Sequence, residues 1–356
     1  MENRILVAFG DFKFENEFVD RLCEILSQKH SVVRSIDEFW NAEASYDFII
    51  INWPETLFKK PWKQVDKSDL TAVADVFKRW RSSGTKLIII RHNIYRHRSE
   101  SDLNNTFYDF AYRNVDAVVH LGEFSLGDYK KRYHASVFHA VIPHPLFSRF
   151  NLSMPKIEAR KMLNIDNKTF LCVIPGWTRH KHEVDRATAI FDMIDAKKKR
   201  LDFLNVQRAF PRYKRSDYRF YLQLLEEKLV AWVKKIHYHK SVISDEMMSV
   251  YFSAADIIII PRIEVLNSGN VTLGAQFGKL VIGPGTGNIK EDLERLDQIV
   301  FGHNGISIAH KELNDAIRAR LTAQFSEKLK RAIKETNSDN NILAVFNELF
   351  YTLKTG

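Results

Sequence analysis

The chain has 356 residues, 45% of them hydrophobic and 27% charged, with a formal net charge of +9. That length is long for one core, so two domains are expected, and the balance is ordinary for a soluble globular protein. Two cysteines, Cys23 and Cys172, argue against a disulfide framework and give no zinc-site spacing. No apolar run approaches the roughly 20 residues that span a bilayer. Met1-Glu-Asn-Arg4 opens with no basic region followed by an apolar run, so a cytoplasmic protein is expected, free or resting on the inner face of the membrane. The positive balance favours an anionic partner: a nucleotide, an anionic lipid surface or a nucleic acid. Solubility alone also accounts for it.

Strands and helices alternate from the start. Residues 4–9 read as a strand ending at Gly10, and the spacing of Phe18, Leu22, Ile25 and Leu26 predicts a helix over 16–29. A strand over 46–51 runs into Asn52-Trp53-Pro54-Glu55. A helix over 70–80, punctuated by Gly84, leads to a strand over 86–90 that ends in Arg91-His92-Asn93. A helix over 102–113 and strands over 117–121 and 136–142 complete the series before Pro143-His144-Pro145. Repeated strand–helix units predict a parallel doubly wound sheet. The polar, proline-ended stretch 147–155 is the expected linker, so the first domain is placed at 1–150.

The second series begins with a strand over 170–174 that ends in Pro175-Gly176-Trp177. A helix over 185–196, a strand over 202–206 and a helix over 216–234 follow. Residues 230–238 fit either a helix end or a strand. Ser244-Asp245-Glu246 has capping chemistry for a helix reaching Ser253. Asp256 then precedes Ile257–Ile260 and Pro261, a run that reads as a strand buried on both faces. Asn267-Ser268-Gly269-Asn270 supplies turn and capping residues for an apolar helix over 271–277. Gly278 closes it before the buried strand 280–282. The second domain is placed at 151–338, and a last helix within 339–356 is expected to pack back on the first domain. Two such halves would leave a cleft able to enclose a ligand.

Ligands of open α/β sheets bind at the carboxyl ends of strands, and helix N-termini there attract anions. Four polar clusters occupy such positions. At Gly10-Asp11-Phe12-Lys13 the glycine would let a ligand approach the backbone, although a plain turn explains it equally. Arg91-His92-Asn93, continuing to Arg96-His97-Arg98, sets a histidine able to act as a base or stabilise charge among cations suited to a phosphate or acidic acceptor. The alternative there is a solvated basic loop. Gly176 to Lys181 combines the forked donors of Arg179 with the mobile charge of Lys181, which together suit a diphosphate; an ordinary cationic loop is the alternative. The loop 267–270 can cradle phosphate through backbone N–H groups, or merely cap its helix. Phe58-Lys-Lys-Pro-Trp-Lys63 suits an anionic membrane surface, or is an exposed loop. The basic runs 197–200 and 208–219 are similar in kind. No nucleic-acid module, HExxH, GxSxG or Walker loop is present.

These residues carry a resemblance. Ile243 to Asp256, the strand ending at Pro261, the Asn-Ser-Gly loop, its helix and Gly278-Lys-Leu-Val-Ile282 fall in the order of the nucleotide-sugar half of glycosyltransferase family 4. Gly283-Pro-Gly-Thr-Gly-Asn-Ile-Lys-Glu291 resembles that family's glycine turn before an acidic residue, and Gly176 to Lys181 sits where it carries basic donor-phosphate residues. Asn52 to Glu55, Arg91 to Asn93 and Ile142 to Pro145 look like a subset that builds bacterial surface polysaccharides.

The resemblance implies a GT-B fold, two Rossmann-like doubly wound domains facing across a cleft. It implies a retaining, metal-independent hexosyltransferase moving sugar from a nucleotide-diphosphate sugar to a saccharide or lipid-linked saccharide, with no cofactor. His92, Arg179 and Lys181 would be catalytic. Gly10, Gly176, Glu264, Asn267, Ser268, Gly269, Asn270 and Glu291 would bind the donor, and Trp53, Asn93, Arg96 and His97 would serve the acceptor. One departure stands out. The family's two glutamates, eight positions apart, are replaced by Val265 and Leu273, with Glu264 one residue early. The Asn267-Ser268-Gly269 loop is then expected to hold the diphosphate through backbone donors. A sugar-nucleotide-binding protein without catalysis and a nucleic-acid-binding protein are the alternatives; the reading above expects no nucleic acid partner.

Overall fold

The computed structural model describes residues 2–10, 16–41, 43–94, 102–134, 136–206, 214, 216–302 and 307–356. Contacts divide the chain into two units, Met1–Phe147 with Thr336–Gly356, and Ser148–Glu335.

The first unit runs β1 (Arg4–Ala8), α1 (Glu17–Leu26), β2 (Ser31–Arg34), α2 (Ile36–Asn41), β3 (Phe48–Ile51), α3 (Lys67–Ser82), β4 (Lys86–Arg91), α4 (Asp102–Arg113), β5 (Ala117–His120), α5 (Glu123–Arg132) and β6 (Phe138–Val141). Its six strands are parallel in the order β2-β1-β3-β4-β5-β6. The isoleucine-rich strands are apolar on both faces because both faces are covered. Ile49, Ile51, Leu87 and Ile89 face a layer containing Val73, Phe77 and Phe107. Ile50, Ile88 and Ile90 face the opposite layer. Asp66 starts α3 with a reciprocal capping box to Asp69, and Asn16 caps α1 through the Phe18 amide.

The second unit runs α6 (Lys156–Met162), β7 (Phe170–Ile174), α7 (Lys181–Asp192), β8 (Lys199–Phe203), α8 (Tyr218–Lys234), β9 (Ile236–Tyr238), α9 (Asp245–Ala254), β10 (Ile257–Ile259), α10 (Gly269–Gln276), β11 (Leu280–Pro284), α11 (Gly287–Arg295), β12 (Ile299–Phe301), α12 (His310–Arg320) and α13 (Ala323–Thr336). The strands are again parallel, in the order β12-β11-β10-β7-β8-β9. The isoleucines of β10 are fully buried between β7 and β11. Asp256 pins the start of that strand, accepting from Arg160 Nη2 and from the Leu171 amide, each at 2.7 Å. Beyond α13, α14 (Asp339–Thr355) returns to the first unit. Its Ile342, Phe346 and Phe350 join the core of Ile5, Phe18 and Phe48, and Arg21 grips Asp339 through two bonds from Nη2, at 2.7 and 2.9 Å.

Three expectations shift. The helix expected over 185–196 is α7 at Lys181–Asp192, starting one turn earlier, where buried Glu183 accepts from the Arg179 amide and ties the first turn to the preceding loop. The strand expected over 202–206 is β8 at Lys199–Phe203, which puts half of the 197–200 basic run inside the sheet. There Lys199 Nζ donates to the carbonyls of Phe191 and Ile194, and Arg200 bonds Asp202. The ambiguity over 230–238 resolves as a helix end, a left-handed Lys235 (φ 58°), then β9.

Each sheet has one point where the strand order reverses. In the first unit β2 lies to one side of β1 and β3 to β6 to the other. In the second, β8 and β9 lie to one side of β7, and β10 to β12 to the other. A doubly wound sheet opens a ligand crevice at that place, outside the carboxyl ends of the two strands.

Candidate functional site

At the reversal point of the second unit, the loops after β7 and β10 come together. Gly176, with φ +75°, lies so close to Asn270 that a Cβ there would stand 3.5 Å from its Nδ2. One loop therefore carries Gly176 and Arg179, and the other carries Asn267 to Asn270, at adjacent strand ends. The first is held by a buried carboxylate. Glu183 Oε2 accepts from the Arg179 amide at 2.7 Å, and Glu183 Oε1 accepts from Arg262 Nε at 2.6 Å. Arg262 also donates to the Trp177 carbonyl, and Arg186 to the Pro261 carbonyl. Burial alone would raise the Glu183 carboxyl, but Arg262 and the Arg179 amide outweigh it and hold it below the ordinary range. Thr178 continues the anchoring, its amide donating to the Asn205 carbonyl at 3.0 Å.

The second loop is fixed from α11. Gly287 (φ +57°) packs against the Leu266 and Val265 carbonyls, to which a Cβ would come within 2.7 and 3.0 Å. The Asn288 amide donates to Leu266 O at 2.9 Å, and Asn288 Nδ2 to Asn267 Oδ1 at 2.6 Å. Ser268 occupies the N-cap position of α10, yet its side chain makes no capping bond. The reading of 267–270 as side-chain caps is thus not realised, because Asn267 is turned to Asn288 instead. A helix start whose first amides are not covered by its own cap is suited to an anion.

Of the other donor-side residues, Glu264 is exposed in the loop before α10, Gly269 is the first residue of α10, and Glu291 lies half-buried in α11. Lys181 is the first residue of α7, with its Nζ 2.6 and 2.7 Å from the Asp185 carboxylate. That pair is exposed at the surface, where such contacts contribute little.

At the reversal point of the first unit, Gly10 is buried just past β1 and Asn52-Trp53 leaves β3. His92, just past β4, stacks on Trp53 (centroids 4.0 Å, 20°) and meets Phe18 edge-on at 4.4 Å. Its Nε2 lies 3.2 Å from Asn52 Oδ1. Asn52 is fully buried, and its Nδ2 has no partner. Burial, assisted by His144, pushes the His92 pKa well below the ordinary histidine value. His144, half-buried and bonded to the Pro145 carbonyl, falls to about 4 through desolvation. Asn93 accepts from the Tyr112 hydroxyl through its carbonyl at 2.5 Å.

The expectation of a cationic cluster at 91–93 is corrected. Burial lowers the His92 pKa and so favours the neutral imidazole over a cation. Arg91 is fully buried, its guanidinium donating to the Ser125 carbonyl and to Asp128 at 2.6 and 2.5 Å between the rings of Tyr112 and Tyr129. It holds the fold rather than a ligand. Arg96 and His97 lie outside the described residues, as does most of 208–219. The loop 58–63 is corrected as well. Phe58 is buried and packs on Phe107 at 4.9 Å, and Trp62 packs on the same ring, while Lys59 and Lys60 pair with Asp37 and Asp69. Its aromatics face the core.

Glu183, Arg262 and Asn288 position both donor-side loops, and the sequence reading gave them no role. Their partners lie 79 and 21 residues away for Glu183–Arg262 and Asn267–Asn288. The only local signal was that Arg262 follows Pro261 and Asn288 follows Gly287; Glu183 had none.

No family model matches the sequence, and no curated protein matches it. Solved structures do. A sucrose-phosphate synthase from Thermosynechococcus elongatus is 14% identical, with 99% of each chain covered and a TM-score of 0.68. Anabaena Alr3699/HepE, solved with UDP and glucose, is 11% identical over 98% of this chain and 100% of that one, at 0.70. WaaG, a glycosyltransferase involved in lipopolysaccharide biosynthesis, is 12% identical over 99% and 100%, at 0.60. Likeness at this identity speaks for fold, and it agrees with the strand orders above. The architecture is GT-B, two parallel six-stranded α/β units.

Proposed function

We propose that this chain is a retaining, metal-independent glycosyltransferase of the family 4 type. It takes a hexosyl group from a nucleotide-diphosphate sugar to a saccharide or lipid-linked acceptor in surface polysaccharide synthesis. The observation that carries the reading is the convergence, at the reversal point of the second unit, of the Arg179 loop with a helix start whose N-cap side chain makes no capping bond. A diphosphate placed there meets backbone N–H donors at Gly269 and Asn270 and the guanidinium of Arg179. Lys181 exchanges its weak Asp185 contact for the phosphate. Stabilising charge that develops on the leaving diphosphate is the largest expected catalytic contribution. Gly176 leaves room for the donor, and Glu291 and Glu264 are its remaining candidates for ribose or base. HepE was solved with UDP and with UDP-glucose, which supports a donor of that class.

On the acceptor side Trp53 provides an apolar face, and Asn93, Arg96 and His97 are the further candidates, while Gly10 serves the donor. His92, held neutral, hydrogen-bonds a sugar hydroxyl rather than pairing with a charge. The test is a thermal-shift panel of nucleotides and nucleotide sugars, then transfer assays in EDTA with the anomeric configuration read by NMR. Stabilisation follows affinity directly. The Arg179→Ala, Lys181→Ala double variant is expected to lose nucleotide stabilisation. Unchanged nucleotide affinity in that variant sinks the phosphate clamp. Saturable binding without turnover on any acceptor would favour a non-catalytic sugar-nucleotide-binding protein.

A further inference from the structure

Helix α8 is apolar on the side that faces away from the protein. Of seventeen large apolar side chains exposed among the described residues, eight lie on this one helix, so the exposure is concentrated and not scattered. Tyr218, Leu222, Leu225, Leu229 and Trp232 are spaced four, three, four and three residues apart, which places them on one stripe. Tyr221 and Val233 flank it. Trp232 is 69% exposed and Leu225 62%. On the whole helix only Phe220 and Gln223 are buried, on the opposite side. An exposed apolar patch of this extent marks an interaction surface.

We infer that α8 is a membrane-docking helix that lies in the headgroup region of an anionic bilayer. The charge of the sequence stretch that holds it selects that occupant. Residues 208–240 hold nine Lys and Arg against three Asp and Glu, a net +6 of the chain's +9. Within and just past the helix, Arg219, Lys228 and Lys235 border the stripe, with Lys235 Nζ 5.0 Å from the Trp232 ring. Leucines with tyrosine and tryptophan on one face and basic residues beside them are the composition of a helix that rests in the interface. A second copy of the chain fits less well. Antiparallel pairing about Leu225, the middle of the stripe, would set Glu226 close to its own counterpart and offer Lys228 no opposite charge. Among the described residues no helix is long and apolar enough to cross a membrane, so contact of this kind is the one available to α8. The 58–63 loop, its aromatics turned inward, does not compete for it.

The inference stands apart from sugar transfer, because vesicle binding is measured with neither donor nor acceptor. Co-sedimentation of the intact chain with phosphatidylcholine vesicles, with and without phosphatidylglycerol, is the experiment. Binding is expected only with phosphatidylglycerol, and to weaken as salt rises. Leu225→Ser with Trp232→Ser is expected to weaken it by about tenfold or more, since two exposed apolar anchors are lost. Lys228→Gln with Lys235→Gln is expected to weaken it several-fold and flatten the salt dependence. Both pairs lie at the surface, so the melting temperature should hold. Binding that ignores phosphatidylglycerol, or that both variants retain in full, overturns the inference. So does a dimer in sedimentation equilibrium that the Leu225, Trp232 variant dissolves while vesicles go unbound.

Discussion

Replacing Gly287 by alanine tests how the donor-side loop is held. Gly287 has φ +57°, a left-handed conformation that costs an alanine about 1–2 kcal/mol. The new methyl would also press on the Leu266 and Val265 carbonyls at 2.7 and 3.0 Å. Backbone cannot swing aside as a long side chain does, so the 265–267 segment must move. Two hydrogen bonds depend on it, Asn288 N to Leu266 O and Asn288 Nδ2 to Asn267 Oδ1, each contributing about 1 kcal/mol. The expected loss is therefore about 3–4 kcal/mol for the second unit. Gly176→Ala is the control. Its φ of +75° has the same sign, but its nearest neighbour would sit at an ordinary 3.5 Å, so about 1–2 kcal/mol is expected. Urea unfolding followed by far-UV circular dichroism reads both variants. Equal losses would refute the reasoning, because they would leave only the shared backbone strain and no role for the carbonyl contact.

Two further outcomes follow from a buried charge and a desolvated imidazole. Arg262→Met leaves the Glu183 carboxylate buried without its cation and should destabilise the second unit by about 3 kcal/mol; it should also weaken UDP binding through the Arg179 loop, read by calorimetry. In the first unit, His144 is protonated below about 6.5 when unfolded but only below about 4 when folded. The stability it supports is thus complete above pH 6.5, falls between pH 6.5 and 4, and is flat below, a decline of about 3 kcal/mol. His144→Gln should shrink that decline in urea midpoints measured across the window, and an unchanged slope would remove His144 as its source.

The strands that were most legible are those buried on both faces. Ile49 to Ile51, Leu87 to Ile90 and Ile257 to Ile260 are continuous apolar runs, and such runs have few other places to go. Strand β2, Ser31–Arg34, was missed because it sits at the sheet edge and half its surface meets solvent. Helices α5 and α12 were missed because few apolar residues interrupt their charged ones, whereas α13 carries a regular period in Phe325, Leu329 and Ile333 that was legible and was passed over. In the candidate site the backbone features were visible, since Gly176 and the 267–270 loop follow strands. What stayed hidden was the partner of each side chain. Nothing in Arg91-His92-Asn93 distinguishes a buried arginine bonded to Asp128 from one aimed at a ligand. That distinction arises only when α5 folds over β4. The exchange of glutamates for Val265 and Leu273 is likewise readable as letters, while the turn of Asn267 toward Asn288 depends on α11 arriving beside it.

Helix α14 gives the chain an order of assembly. The second unit is one continuous stretch, 148–335, whereas the first is closed by residues from 336 onward. Phe346 and Phe350 fill the same core as Ile5 and Phe48, with Phe48 and Phe350 stacked at 4.2 Å. On the ribosome the earlier part of the first unit therefore waits for a later one. The 1–147 segment emerges with one face of its sheet covered by α1 but still short of α14, and must be kept from aggregating while nearly two hundred more residues are added. The younger unit has all its own strands and helices in hand and can close before the older one is complete.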